Sequence, residues 1–152
     1  MPAEGRRSDL QGAGPSPGRS LCPDFILDQH RRGRTSGAFA GAVADVDISG
    51  FTEITEQLSV HGREAAELLQ DVLAAVFQPL TAGVYEAGGF IANFSGDGFL
   101  AVFPEGPGLD PAALRGMAAA WNFRQAVRSR HSFRTRFGTF SFNARIGLSA
   151  GQ

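Results

Sequence analysis

Two acidic residues invite a chemical reading before anything else in the chain. Asp47 ends an apolar run, "FAGAVADVDI", and Asp97 sits far downstream in the turn "SGDG". Aspartate is disfavoured inside strands, and a carboxylate drawn out of water needs a partner, often a cation. If the fold brings these two groups to one point, they repel each other unless a cation sits between them. Mg²⁺ or Mn²⁺ suits such a pair, with hard oxygen ligands, few protein groups, and phosphates completing the shell. Two such ions, roughly 3.5–4 Å apart, could activate an attacking hydroxyl and neutralise a leaving phosphate.

Ser49, Gly50, Phe51 and Thr52 follow Asp47 directly and lead into a helical pattern. Free N–H groups and the positive helix end make an anion cradle at such a start. Gly50 lets the backbone approach a phosphate closely. A metal-binding carboxylate followed by a phosphate-binding turn implies a nucleoside triphosphate. Taken singly, Asp97 in a glycine-rich turn and Asp47 ahead of a Ser-Gly break each have ordinary turn explanations. Their combination carries the reading. Asp45 shares a strand face with Asp47 by the two-residue period. It is expected to be exposed or hydrogen-bonded rather than a third ligand.

The elements that must position these groups can be read along the chain. Residues 1–20 are rich in Gly, Pro, Ser and Arg and cannot bury enough apolar surface to order themselves. Residues 21–38 read as a lead-in, where Phe25, Ile26 and Leu27 could dock on the domain as one short helix before a basic linker. The folded part is expected over 39–152. It starts with a strand at "FAGAVADVDI", then a short helix "FTEITEQLS" interrupted at His61-Gly62. A longer amphipathic helix follows, with Ala65, Leu68, Leu69, Val72, Leu73, Val76, Phe77 and Leu80 on one stripe. Pro79 should bend it or loosen its last turns, and Gly88-Gly89 should end it. "FIANFS" and "GFLAVFP" read as a hairpin. Asp110 is a plausible N-cap, with Pro111 at the first helical position, and residues 112 to about 130 read as a helix. A strand, "FSFNARIGLSAG", comes last. The order predicts an α+β, ferredoxin-like βαββαβ sheet with helices on one face. In that topology the first strand lies beside the hairpin, so Asp47 and Asp97 converge at one sheet end.

"DISGFT" at 47–52, "GGFIANFSGDGFLAVF" at 88–103 and "ARIGLSAG" at 144–151 together resemble the class III nucleotidyl cyclase catalytic domain, nearest its bacterial and soluble-adenylyl-cyclase branch. The resemblance covers about residues 39–152. It implies that Asp47 and Asp97 bind two Mg²⁺ or Mn²⁺ ions with help from the Ile48 carbonyl. It implies that backbone amides around Gly50 to Thr52 hold the triphosphate. The 3′-hydroxyl would attack the α-phosphate of ATP, giving 3′,5′-cyclic AMP and pyrophosphate, at a site formed between two catalytic domains. In the family pattern a Lys or Glu reads the base four residues before the second metal Asp. Asn93 holds that place and can both donate and accept, so GTP stands as the alternative substrate. The family's other base-reading residue, and the Asn and Arg that stabilise the transition state, fall beyond the strand ending at Gln152. The expectation is therefore a catalytic domain lacking its C-terminal part and inactive alone, with a non-catalytic regulatory or dimerisation module as the rival.

Composition limits the other possibilities. The chain has 152 residues, 43% hydrophobic and 19% charged, with a formal net charge of −1. That balance gives no global attraction to nucleic acid or anionic membrane. Every basic residue is Arg, so no site here can use a Lys. The Arg- and aromatic-containing stretch 124–137 is expected to be a solvated helix end and loop. Leu114, Met117 and Trp121 are expected in the core at helical spacing, and His61 and His131 lack partners at ligand spacing. The single Cys22 excludes an internal disulfide and suits a reducing compartment. No apolar run approaches the ~18 residues of a membrane span, and a cytoplasmic location is expected.

Overall fold

The computed structural model describes residues 22–59, 63–129 and 132–152. The described residues divide into two units, with the boundary between Thr35 and Ser36. In the first unit, helix α1 (Asp24–Arg31) begins after Pro23. It closes with the Arg32 N–H donating to the Asp28 and Gln29 carbonyls. The Arg32 guanidinium also pairs with the exposed Asp28 carboxylate at 2.8 Å.

The second unit runs β1 (Gly41–Ser49), α2 (Phe51–Ser59), α3 (Arg63–Glu86), β2 (Phe90–Ser95), β3 (Gly98–Pro104), α4 (Ala112–Ser129), β4 (Ser132–Thr135), β5 (Gly138–Ser141) and β6 (Asn143–Gly151). The main sheet has the order β2-β3-β1-β6 with antiparallel neighbours throughout. This is the ferredoxin-like arrangement the sequence predicts, with β1 central. The His61-Gly62 break, Ala65's side chain and His131 lie outside the described residues.

Strand alternation divides the two faces of the sheet. Ala42, Ala44, Val46 and Ile48 of β1 are fully buried, as are Ala101 and Phe103 of β3. The helices cover this face. Val72, Val76, Leu80 and Val84 bring one stripe of α3 into the core, and Leu68, Leu69, Leu73 and Phe77 pack around it. Helix α3 runs through Pro79 to Glu86 without a break. It ends where Gly88 and Gly89 donate back to the Tyr85 and Val84 carbonyls at 2.9 Å each, a Schellman closure.

Helix α4 departs from expectation in two ways. Its first N–H is capped from outside: the Ala112 N–H donates to the Glu105 carboxylate at 2.9 Å, while Asp110 offers its carbonyl to the Arg115 side chain. Its buried stripe is Ala112, Arg115, Gly116, Ala119, Phe123 and Val127. Leu114, Met117 and Trp121 are 57, 56 and 60% exposed, which corrects their assignment to the core. Both series have helical spacing. The small one wins because Gly116 sits hard against Leu148, Phe103 and Ala42, a closeness that larger residues forbid.

Residues 132–141, expected to be partly loop, form a separate two-stranded hairpin, with Ser132 opposite Ser141 and Thr135 opposite Gly138. Its aromatic side anchors it: Phe133 meets Phe142 edge-on at 5.4 Å, and Phe140 and Phe142 are buried.

Candidate functional site

The uncovered face of β1 carries Asp45 and Asp47 by the same alternation that buries Val46 and Ile48. The register sets their neighbours. Asp47 lies opposite Gly98 on β3 and opposite Arg145 on β6. Ser95 lies across from Gly98. One row of the open face therefore reads Ser95, Gly98, Asp47, Arg145. The next row reads Asn93, Leu100, Asp45, Gly147. Together the two rows line a basin of about 730 Å³.

A β-bulge fixes which β2 residues join those rows. The register shifts between Ile91 and Asn93, so two residues of β2 oppose Leu100. Asn93 and Ser95 then share the open face. Phe94 turns to the other side, against Phe99 at 6.1 Å and Phe77 at 6.5 Å.

Asp97 sits in the two-residue turn between β2 and β3. The Ile48 N–H donates to the Asp97 carbonyl at 3.1 Å, tying that turn to the end of β1. Asp47, near the end of β1, and Asp97, in the turn that leads into the neighbouring β3, are thus brought to the same sheet end. Close approach here depends on Gly98: a Cβ at that position would lie 2.5 Å from the Val46 carbonyl oxygen.

The turn after Asp47 is built as expected, for an additional reason. Gly50 has φ 108°, and a Cβ there would lie 2.3 Å from the Ser141 carbonyl oxygen. The glycine admits the β5 backbone. Ser49 donates its hydroxyl to the Asn143 carbonyl at 3.4 Å. Phe51 is buried and stacks on Phe77 at 5.7 Å and Phe142 at 4.8 Å. The side chains of Ser49 and Phe51 are therefore structural, and only backbone groups and the exposed Thr52 face outward. The first intrahelical bond of α2 runs from the Ile54 N–H to the Gly50 carbonyl at 3.3 Å. The N–H groups of Phe51, Thr52 and Glu53 precede it, as at any helix start.

The donor set suits a hard divalent cation. Among the described residues, no group of three or more His, Cys, Asp or Glu side chains gathers to hold a metal. Asp47 and the Asp97 turn offer carboxylate and carbonyl oxygens, the donor type that Mg²⁺ sites draw on together with water and phosphate oxygens. Sequence reading missed Arg145. Its place opposite Asp47 follows only from the β1–β6 register, although its alternation within "NARIG" was visible.

At the level of sequence, no family model and no curated protein matches the chain. Solved structures do. The dimeric guanylyl cyclase domain of the RhoGC fusion protein from the aquatic fungus Blastocladiella emersonii is 25% identical over 74% of this chain and 57% of that one, with a TM-score of 0.52. The guanylate cyclase domain of RhGC from Catenaria anguillulae, solved with GTP, is 25% identical with the same coverage and a TM-score of 0.55. A bacterial light-regulated adenylyl cyclase shares the fold at 18% identity, covering 86% of this chain and 37% of that one, with a TM-score of 0.60. The chain spans little more than half the length of the two fungal domains. The resemblance to the class III cyclase catalytic domain therefore holds in three dimensions, at the level of fold.

Proposed function

We propose that this chain forms part of a nucleotidyl cyclase active site that closes a purine nucleoside triphosphate into its 3′,5′-cyclic monophosphate. The observation that carries the reading is the register of β1. It gathers Asp47, the Asp97 turn, Arg145 and the start of α2 at one end of an open sheet face.

Asp47 and Asp97 hold the divalent ions, Mg²⁺ or Mn²⁺, with the Ile48 carbonyl as a further oxygen donor. Bound there, such ions acidify the attacking hydroxyl and neutralise the leaving phosphate. Arg145 supplies the fixed positive charge beside Asp47 and meets the phosphate oxygens. The backbone N–H groups from Gly50 to Thr52 accommodate the distal phosphates. In the reaction the 3′-oxygen bonds to the α-phosphorus, the bond from that phosphorus to the bridging oxygen breaks, and pyrophosphate departs. The 3′-hydroxyl proton is lost to solvent. Asn93 faces the base. ATP is the substrate expected from the sequence, with GTP the alternative. A second cyclase domain completes the site as a dimer. Among the described residues no helix is long and apolar enough to cross a membrane. We place the reaction in the cytoplasm, with the nucleotide pool.

The test is product analysis by mass spectrometry, using the protein that contains this chain with each triphosphate and Mn²⁺. Asp47→Ala and Asp97→Ala should each reduce cyclic nucleotide formation at least about 100-fold while melting as the parent does. A parental rate in either variant would remove the metal assignment. The uncharged Asn93 favours one other reading, a cyclase-like module that binds nucleotide without turnover. Metal-dependent binding with no cyclic product would support it.

A further inference from the structure

The proposed mechanism leaves one residue of the basin unused. Asp45 is exposed and lines the basin beside Asp47. It shares a row of the open face with Leu100 and Asn93, since β1 pairs Asp45 with Leu100 and β2 pairs Asn93 with the same Leu100. Neighbouring strands lie about 4.8 Å apart, so Asp45 and Asn93 stand about 10 Å apart with Leu100 between them. A purine edge lying over Leu100, with hydrogen bonds of about 2.9 Å to the residue at each side, fits that gap. On the far side of Asp45, Gly147 leaves the space open; a Cβ there would only touch the Asp45 Cβ, at 4.0 Å.

We propose that Asp45 is a specificity-determining residue that, with Asn93, selects guanine over adenine. The proposal rests on the cyclase reading above. An ionised carboxylate can only accept hydrogen bonds, whereas an asparagine amide can donate and accept. The edge of guanine presents two adjacent donors, N1–H and the N2 amine, beside the O6 acceptor. Asp45 takes the two donors, and the Asn93 amide donates to O6. Adenine on the same row presents its N1 acceptor where guanine has a donor. That sets lone pair against carboxylate, which repels the wrong base. The chain has no lysine to reverse the preference. The cation in the basin, Arg145, belongs to the neighbouring row beside Asp47. Leu100 supplies an apolar floor under the ring. Asp45 acts on the base alone, so the assignment is the same whichever copy of a dimer holds the phosphates.

The experiment is calorimetric titration of the protein that contains this chain with GTP, ATP and inorganic triphosphate in Mn²⁺, followed by the two nucleotides with Asp45→Asn and Asp45→Glu. Asp45 is exposed, and its amide variant keeps its shape, so folding is not at stake. GTP should bind the parent about tenfold or more tightly than ATP, the worth of one charge-assisted hydrogen bond. Asp45→Asn should bring the ratio within about threefold of unity, and Asp45→Glu should restore part of it. Equal binding of the two nucleotides by the parent, or an unchanged ratio in Asp45→Asn, would overturn the proposal while retained inorganic triphosphate binding left the cyclase reading standing. If the parent bound neither nucleotide nor inorganic triphosphate, the cyclase reading would fall and this assignment with it.

Discussion

The two ends of the sheet treat a guanidinium in opposite ways. At the end where Gly41 faces Pro104, Arg115 is buried, only 9% exposed, and among the described residues it has no carboxylate partner. Main-chain oxygens satisfy it instead. Its Nε donates to the Asp110 carbonyl at 2.9 Å, and one terminal nitrogen donates to the Ala87 and Gly88 carbonyls at 2.7 and 3.1 Å. The other donates to the Pro104 carbonyl. Ala87 and Gly88 close α3, so the charge also meets the negative end of that helix. At the opposite end, Arg145 lies exposed on the open face across from Asp47. One arginine makes four donations that hold three segments together, and the other stands exposed on the face where we propose the phosphates lie. A charge buried among carbonyls serves architecture here, while the opposite charges of Asp47 and Arg145, paired in register on an open face, are free of that duty.

The comparison can be broken at either end. The largest effect is expected at the buried one. Arg115→Ala would strand several carbonyls and open a cavity, so chemical denaturation should show a loss of about 3–4 kcal/mol. Next is Gly50→Ala, which combines a left-handed backbone with a collision against the Ser141 carbonyl oxygen. Its cost should be about 2–3 kcal/mol by the same measurement. A smaller effect, of a different kind, is expected at the open end. Arg145→Ala should leave stability unchanged and weaken inorganic triphosphate binding about tenfold in a calorimetric titration. Unfolding caused by Arg145→Ala, or tolerance of Arg115→Ala, would erase the distinction. The smallest effect is expected away from both ends: Trp121→Gln, on the exposed side of α4, should shift stability by no more than about 0.5 kcal/mol.

How much of this was legible in the sequence follows from which signals are local. The alternation in "AVADVDIS" fixes which side of β1 is buried, so the outward aspect of Asp45 and Asp47 was readable. The hairpin at Ser95–Gly98 was readable because glycine chemistry and flanking apolar alternation agree. With the β-α-β-β-α-β order, these two signals put Asp47 and Asp97 at one sheet end. Other features depend on partners distant in sequence. Arg145 joins the site only through the β1–β6 register, and the bulge at Ile91–Asn93 has no residue signature of its own. Gly50 suggested a phosphate contact, yet its vacant side meets β5. Helix α4 offered two stripes of equal period. The series with Leu, Met and Trp was the more hydrophobic, but the flat sheet surface over Ala42 and Phe103 accepts the smaller one. Arg115 went unnoticed because a lone arginine in a helix ordinarily lies in solvent.

In the proposed site Asp47 and Asp97 act on the same ions. Titration of Mn²⁺, followed by electron paramagnetic resonance in the presence of a non-hydrolysable nucleoside triphosphate, reads that directly. The account predicts saturable binding by the parent protein and an affinity at least about tenfold lower for Asp47→Asn and for Asp97→Asn, with the double variant little worse than either single one. Parental affinity in either single variant, or independent additive losses, would contradict it.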